Sequence, residues 1–388
     1  MPWVFALQLS LESVSVKVVF MKVLISRKDL KDTTSGVPRI VLQELAYFNS
    51  HDHEGFAIAE SINKEMIVEA GGNPVKTWKW PFSGKFRRKF YQKQVDEWIK
   101  KNKPGLVIGH GDILHQDILF IHNCVHLAHE LIEGRPLPED HDVGEIHREI
   151  LTRGTFKLLV ANSEMMKKDL VQRFNLNPDK VVVMYPEFNP ARFQIEKRAE
   201  LKNEWRAKFG FKDDDFIVGM VTSGNFKKRN LSLLIEAFKE VAKLEPKARL
   251  FIAGRNIDDH YVKSAPEGIS VFAPAIIDVK NYYNLLDVFV LPAHIEEFGL
   301  SVLESMFCKI PVVTTSFVGA SELLKNESRD FIMPKANKEL LVDMILKLRD
   351  KSLSKKISNH NYETSLAFSA QVKENTFGTI LKNAGFHV

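Results

Sequence analysis

Cysteine is nearly missing from this 388-residue chain: there are two, Cys124 and Cys308, both among apolar neighbours. Their scarcity excludes a disulfide framework and a four-cysteine metal site, and it predicts a reducing compartment. No histidine–glutamate–histidine spacing suggests zinc. Low-complexity tracts are missing as well, and a content of 45% hydrophobic and 27% charged residues excludes disorder for any large part. No apolar run is both long and uninterrupted. The most apolar stretch, residues 1–20, lacks a basic start and is broken by Gln8, Glu12 and Lys17, so neither a cleaved signal nor a spanning helix fits. It reads as an extension ahead of the first strand, an upstream translation start or a weak surface segment. Also missing are a full G-x-G-x-x-G and a Walker loop, which removes a hydride-transfer cofactor and an ordinary ATP site.

What is present alternates. Short apolar runs ("MKVLIS", "GFAIAE", "LVIGH", "ILFIH", "FKLLVA", "KVVVMY") are separated by stretches of helical spacing. Val37, Ile40, Val41 and Leu45 fall at i, i+3, i+4 and i+8, one face of a helix, and Asn162 or Ser163 would cap the helix that follows "LLVA". The prolines at 186 and 190 mark a break, after which the rhythm restarts with "DFIVGMV", a helix over 229–244, "ARLFIAG", "ISVFAP", "DVFVLPA", a helix over 299–309 and "PVVTT". Such alternation predicts an α/β fold of two Rossmann-like, doubly wound parallel-sheet domains facing a cleft. The expected units are a first domain at 21–188, completed by a C-terminal helix at 369–388, and a second at 189–368.

Ligands of open parallel sheets sit beyond the carboxyl ends of the strands, where glycine turns and helix N-termini attract anions. Gly36 follows the first strand of the first domain; Gly224, then Lys227, Lys228 and Arg229, follow the first strand of the second. A lone turn glycine is usually structural, and three adjacent cations are usually a solvated face. Their place at the ligand edge argues for more. In "HIEEFGLSVLESMF", Glu296 lies on a loop and Glu304 one turn into a helix among Leu300, Val302, Leu303 and Met306. A carboxylate there needs donors, and a vicinal diol offers two. Rise per residue separates the two carboxylates by roughly 10 Å, the span of a ribose, a diphosphate and a sugar. The bland alternative is that Glu304 is an exposed helix residue and that Glu296 and Glu297 only favour the helix dipole.

The segment Glu296, "EFGLSVL", Glu304 resembles the donor-site signature of family 4 glycosyltransferases, enzymes of GT-B fold that retain anomeric configuration. "GVPRIVLQEL", "VANSEMMKKDL", "SGNFKKRNLSLLIEAF" and "GASEL" are similar to further segments of that family, and the resemblance covers roughly residues 21–385. Bacterial transferases of the lipopolysaccharide core look most alike. The resemblance implies transfer of a hexose from a nucleotide-diphosphate sugar to a hydroxyl of a glycan or lipid-linked acceptor, without metal or bound cofactor. It implies that Glu304 holds the ribose, that Glu296 faces the donor sugar, and that backbone amides at Phe298, Gly299 and Leu300 meet sugar or phosphate. Lys228 and Arg229, with Lys227, would neutralise the leaving diphosphate, and Gly36 and Gly224 would let backbone approach it. Which of the three cations touches the diphosphate stays open. Glu187 and Lys309 stand where the family pattern favours Gly.

Histidines are weighed separately. His110 ends a strand in "VIGHGD" and matches the family histidine that contacts the donor sugar; His122 and His126 are weaker candidates for acceptor contact. The segment 77–93, "TWKWPFSGKFRRKFYQK", interleaves six Lys/Arg with Trp78, Trp80, Phe82, Phe86, Phe90 and Tyr91. That composition suits an anionic membrane surface, with the protein cytoplasmic and peripheral on the cytoplasmic face. It equally suits single-stranded nucleic acid, which is disfavoured here, or a plain amphipathic helix with its aromatics in the core. A sugar-nucleotide epimerase of the same fold is the alternative enzyme.

Overall fold

The computed structural model of the chain describes residues 20–32, 36–82, 84–153, 155–274, 279–368 and 370–386. Residues 1–19 of the expected extension lie outside them, as do the ends of the expected helix 369–388.

β-Branched and aliphatic runs of two to seven residues form the strands, most of them buried. In the first half these are β1 (Lys22–Ser26), β2 (Glu54–Ala59), β3 (Asn73–Lys76), β4 (Leu106–Gly109), β5 (Ile118–Phe120), β6 (Leu158–Ala161) and β7 (Val181–Val183). They pair in parallel in the order β3-β2-β1-β4-β5-β6-β7. In the second half, β8 (Phe216–Val221), β9 (Ala248–Gly254), β10 (Ser270–Pro274), β11 (Val288–Leu291), β12 (Val312–Thr315) and β13 (Ile332–Met333) pair in parallel as β10-β9-β8-β11-β12-β13. Both orders reverse direction once. The reversal falls between β1 and β4 in one sheet and between β8 and β11 in the other, and it makes each sheet doubly wound with a crevice at its carboxyl edge.

The β3 strand is not among the apolar runs named from the sequence, and its Pro74 has no N–H to give a ladder. An outermost position tolerates that loss, and β3 is the outermost strand of its sheet.

The helices that matter to the site are α1 (Gly36–Ser50), α2 (Lys85–Asn102), α3 (Val125–Glu133), α4 (Asp142–Arg153), α5 (Glu164–Phe174), α6 (Leu231–Leu244), α7 (Leu300–Phe307) and α8 (Ala370–Asn383). Ser163 caps α5 by accepting from the Met166 N–H at 3.2 Å; Asn162 does not. Two helices are shorter than their periodicity implies. The helix expected at 229–244 starts at Leu231, since Asn230 is left-handed at φ 55°, so Lys227, Lys228 and Arg229 all stay in the preceding turn. The helix expected at 299–309 runs from Leu300 to Phe307, stopped on one side by Gly299 at φ 93° and on the other by Lys309 at φ 55°. A non-glycine residue in that conformation stores about 1–2 kcal/mol.

After the second sheet the chain returns to the first core. Phe377, Ile380, Leu381 and Phe386 pack with Val41, Leu45, Phe48 and the β1 and β2 side chains. The Phe377 ring lies 5.0 Å from Tyr47 and 5.8 Å from Phe48, both edge-on. We therefore expect Phe377→Ala to destabilise the first sheet by about 3–5 kcal/mol, although more than 300 residues separate it from β1. Hydrogen exchange checks this: protection should fall in β1 and β2 and stay unchanged in β8 and β9.

Candidate active site

The second crevice is built by two loops that leave neighbouring strands. Residues 222–230 follow β8 and residues 292–299 follow β11, and the His294 N–H bonds the Lys228 carbonyl at 3.0 Å, stitching one loop to the other. Gly224, at φ 126°, would bring a Cβ within 3.1 Å of the Arg255 carbonyl oxygen. Its own carbonyl accepts from the Arg229 guanidinium.

The three cations take three different partners. Arg229 faces Glu296 at 3.1 Å. Lys228 donates to Glu297 at 2.5 Å. Lys227 reaches Glu133 on α3 of the first domain at 2.6 Å, a solvent-exposed pair that water and salt screen. Glu297 is 6% exposed and also accepts the Cys124 backbone N–H at 3.0 Å. One buried carboxylate thus joins the basic loop, the glutamate loop and the N-cap of α3. Removing a single partner from such a group leaves an uncompensated buried charge, at about 3–5 kcal/mol.

Glu296 is pinned by its backbone. Its N–H bonds the Phe317 carbonyl, and its carbonyl accepts from the Gly319 N–H, each at 2.9 Å. The carboxylate side is less satisfied: the Arg229 contact lacks hydrogen-bond alignment, and Oε2 is a buried acceptor with no donor. Burial raises its pKa, against the opposing pull of Arg229 and Lys228. Gly299, beside it at φ 93°, would set a Cβ 3.0 Å from Val318 and 3.4 Å from the Glu296 side chain, so a larger residue would be strained in its backbone and pressed against Val318. Phe298 is buried against Tyr185, with ring centroids 5.9 Å apart.

Glu304 sits in the first turns of α7. The buried Tyr283 hydroxyl donates to its Oε2 at 2.6 Å. Burial pushes the carboxyl above the usual glutamate range; the Tyr283 bond and the fields of Arg192 and Arg39 pull it back. Arg39 belongs to α1, so Glu304 feels charge from the opposite domain.

In the first domain, the loop after β5 (residues 121–124) is one of the parts that reach the second, through Cys124 and Glu297. His122 lies on it, half-buried. His110, at the carboxyl end of β4, is 1% exposed. Its Nε2 is 2.9 Å from the Glu44 carboxylate and its Nδ1 is 2.9 Å from His122 Nε2. The two imidazoles are stacked with centroids 5.1 Å apart. Glu44, His110 and His122 form a chain from the core of α1 to the loop at the domain boundary. His126 is held between helices, edge-on to Phe174; burial and Arg173 lower its pKa to about 4, so it is neutral at neutral pH. Gly36 starts α1 at φ 60°, with open space where a Cβ would point.

The domains meet again through Glu322, which accepts the N–H groups of Glu164 and Met165 at 2.9 and 2.7 Å and the Tyr185 hydroxyl at 2.9 Å. A carboxylate on the first turn of α5 completes amides that a helix leaves unpaired and complements its dipole.

Comparison with known proteins matches this architecture. The model of Glycosyltransferase Family 4 matches residues 34–192, and that of Glycosyl transferases group 1 matches residues 202–364. The chain belongs to the family 4 glycosyltransferases. Among curated relatives, it is 27% identical over 240 residues to the capsular polysaccharide biosynthesis glycosyltransferase CapM of Staphylococcus aureus, covering 58% of this chain and 62% of that one. It is 29% identical over 176 residues to an uncharacterized glycosyltransferase of Methanocaldococcus jannaschii, covering 44% and 45%. The chain therefore spans about half to three-fifths of the length of these relatives. Among solved structures, WaaG, a glycosyltransferase involved in lipopolysaccharide biosynthesis, superposes with a TM-score of 0.76 at 16% identity, over 92% of this chain and 99% of that one. Anabaena HepE, solved with UDP and glucose, gives 0.70 at 16% identity, over 93% and 99%. Identities this low establish the fold, which is GT-B.

In this family member, then, Glu296, Lys228, Arg229, Gly224, Phe298 and Gly299 converge at the second crevice, with Glu304 one helical turn deeper. Lys227 points across to α3. Two participants escaped the sequence reading. Spacing alone marks Glu297 only as a neighbour favouring the helix dipole, and Glu44 lies on the same helix face as Val41 and Leu45, where a carboxylate needs a partner.

The raised carboxyl of Glu304 has a thermodynamic sign. A folded pKa above the unfolded one means that the ionised form is destabilising, a penalty fully present above the raised folded value and lost as pH falls through it toward the unfolded one. Glu304→Gln should therefore melt higher than the parent at pH 8, and the gap should close as pH falls toward the ordinary carboxylate range. Thermal melts of both proteins between pH 8 and pH 4.5 read it directly; a gap that widens on acidification would contradict the buried-carboxylate account.

Proposed function

We propose that the chain moves a hexose from a nucleoside-diphosphate sugar to a hydroxyl of a glycan or lipid-linked acceptor, with retention of anomeric configuration. The observation that carries this is the convergence of Glu296, Arg229 and Lys228 at the reversal point of the second sheet, with Glu304 deeper in the same crevice. Cations meet the diphosphate end of the donor and carboxylates meet its hydroxyls. The buried, donor-less oxygen of Glu296 suits a sugar hydroxyl, and Glu304 beside Tyr283 suits the ribose diol. Related proteins lend support, since HepE binds UDP-glucose and CapM acts in capsular polysaccharide biosynthesis.

In the reaction, the bond from the anomeric carbon to the diphosphate oxygen breaks and its electron pair stays on the phosphate. Positive charge grows on the sugar, within the field of Glu296. Negative charge grows on the phosphate, where Lys228 and Arg229 exchange part of their contact with the glutamates for the leaving oxygens. On this reading side chains supply the neutralisation and no metal is needed. The acceptor oxygen bonds to the anomeric carbon from the side the phosphate leaves, and its proton passes to a phosphate oxygen. His110, the histidine expected to contact the donor sugar, is 1% exposed behind His122, so on this reading His122 takes that contact in place of an acceptor one, while His110 and Glu44 set its ring orientation and tautomer. Closure of the domains around Glu297 and Glu322 excludes water.

The test is a panel of nucleotide sugars read by thermal stabilisation and nucleotide release. One donor should stabilise the chain, and Glu296→Ala should lower turnover by about a hundredfold or more while nucleotide binding persists. No stabilisation by any donor at millimolar concentration, or parent-like turnover in Glu296→Ala, would reject the assignment. Product analysis without acceptor separates transfer from epimerisation, which alone would convert the donor sugar.

A further inference from the structure

The segment between β3 and α2 is out of keeping with the rest of the surface. Among the described residues, nine large apolar side chains are exposed, and four of them fall between positions 78 and 86: Trp78 at 80%, Trp80 at 37%, Phe82 at 71% and Phe86 at 76%. A contiguous exposed apolar ridge of this kind marks an interaction surface.

The ridge is held in place while burying little of itself. The Thr77 N–H bonds the Ala59 carbonyl at 2.8 Å. Gln94 on α2 clamps the Trp78 backbone from both sides, accepting from its N–H at 2.8 Å and donating to its carbonyl at 3.0 Å. Trp80 rests against Phe90 at 5.3 Å. The helix behind is fixed by Tyr91, fully buried, whose hydroxyl donates to the Ile58 carbonyl at 2.9 Å and lies 2.9 Å from Ser26 Oγ. Aromatic rings are thus presented to solvent on a fixed scaffold.

Charge completes the picture. α2 carries seven Lys/Arg against Asp96 and Glu97. Phe86, Lys89, Lys93, Glu97 and Lys100 are all exposed and follow at intervals of three or four residues, so they form one stripe with the aromatic tip at its N-terminal end. Arg87 is bound to Glu60 and Lys85 to Glu145, but Arg88, Lys89, Lys100 and Lys101 enter no ion pair among the described residues. Both β3 and the start of α2 lie at the carboxyl edge of the first sheet, the edge that also carries His110 and the 121–124 loop.

We propose that this ridge docks the protein on an anionic lipid surface, with Trp78, Phe82 and Phe86 seated at headgroup depth and the α2 cations against lipid phosphates. Aromatic rings favour that interface, and each cation near it adds attraction. Among the described residues no helix is long and apolar enough to cross a membrane, so this is attachment at the surface. Rings gathered at one tip ahead of the cations suit a planar interface; a single nucleic-acid strand would want rings spaced along the basic groove. The inference deepens the transferase reading by facing the acceptor edge toward the membrane, and it is measured without turnover, so its failure leaves that reading standing.

The experiment is flotation of the full chain with phosphatidylcholine vesicles, with and without phosphatidylglycerol. Binding should require phosphatidylglycerol and weaken with salt. The triple variant W78A/F82A/F86A should lose binding by on the order of tenfold or more, and K89Q and K93Q should each lose about fivefold. Because the three aromatic side chains bury little, the triple variant should keep the parent melting temperature and donor stabilisation. Triple-variant binding equal to the parent, equal binding to both vesicles, or binding only to a single-stranded oligonucleotide through the same residues would each overturn the proposal.

Discussion

Buried carboxylates matched by donors from other elements hold this structure's working parts together. Glu297 is the centre of that arrangement: it takes Lys228 from the basic loop and a backbone amide from the opposite domain at the same time. An ionised carboxylate out of water is tolerated only with such compensation. Its demand for partners fixes where three loops lie relative to one another. Glu322, half-buried, uses the same pairing at the first turn of α5, and the buried Glu44 uses one of its oxygens for it beneath His110.

The same physics sets stability against function. Glu296 and Glu304 are both pushed toward protonation by burial, and one oxygen of Glu296 is met only by the misaligned Arg229 contact. A chain selected for stability alone would replace such groups with apolar or neutral residues. Retaining two of them in one crevice, next to cations whose charge they offset, suits the polyhydroxylated, anionic donor proposed above. The exposed ridge at 78–86 is the surface counterpart: apolar area left largely in water on a scaffold held firm by Gln94 and Tyr91.

Much of this could be read along the chain, and the reason is locality. Alternation of β-branched runs with helical spacing placed nearly every strand, because side-chain period and turn residues are encoded within a few positions. Glu304 stood out because its neighbours in sequence are apolar. Lys227 to Arg229 stood out because they follow a strand and a glycine. Where the reading missed, a tertiary position overruled a local rule: Pro74 forms a strand because it is outermost, and Lys309 adopts a left-handed conformation that its type disfavours because the turn into β12 demands it. Glu44 was legible in principle, as a carboxylate on an apolar helix face, yet its partner His110 lies 66 positions away.

Sequence alone determined the doubly wound pattern, the two acidic positions eight residues apart and the basic turn that precedes α6, since each depends on spacing within one segment. Only the tertiary structure decided which cation meets which glutamate, that His110 stands behind His122, that the last helix closes the first core, and that the aromatics at 78–86 face water. Those outcomes are set by contacts between residues tens to hundreds of positions apart, where strand order and domain juxtaposition, rather than local propensity, bring charges and rings within reach.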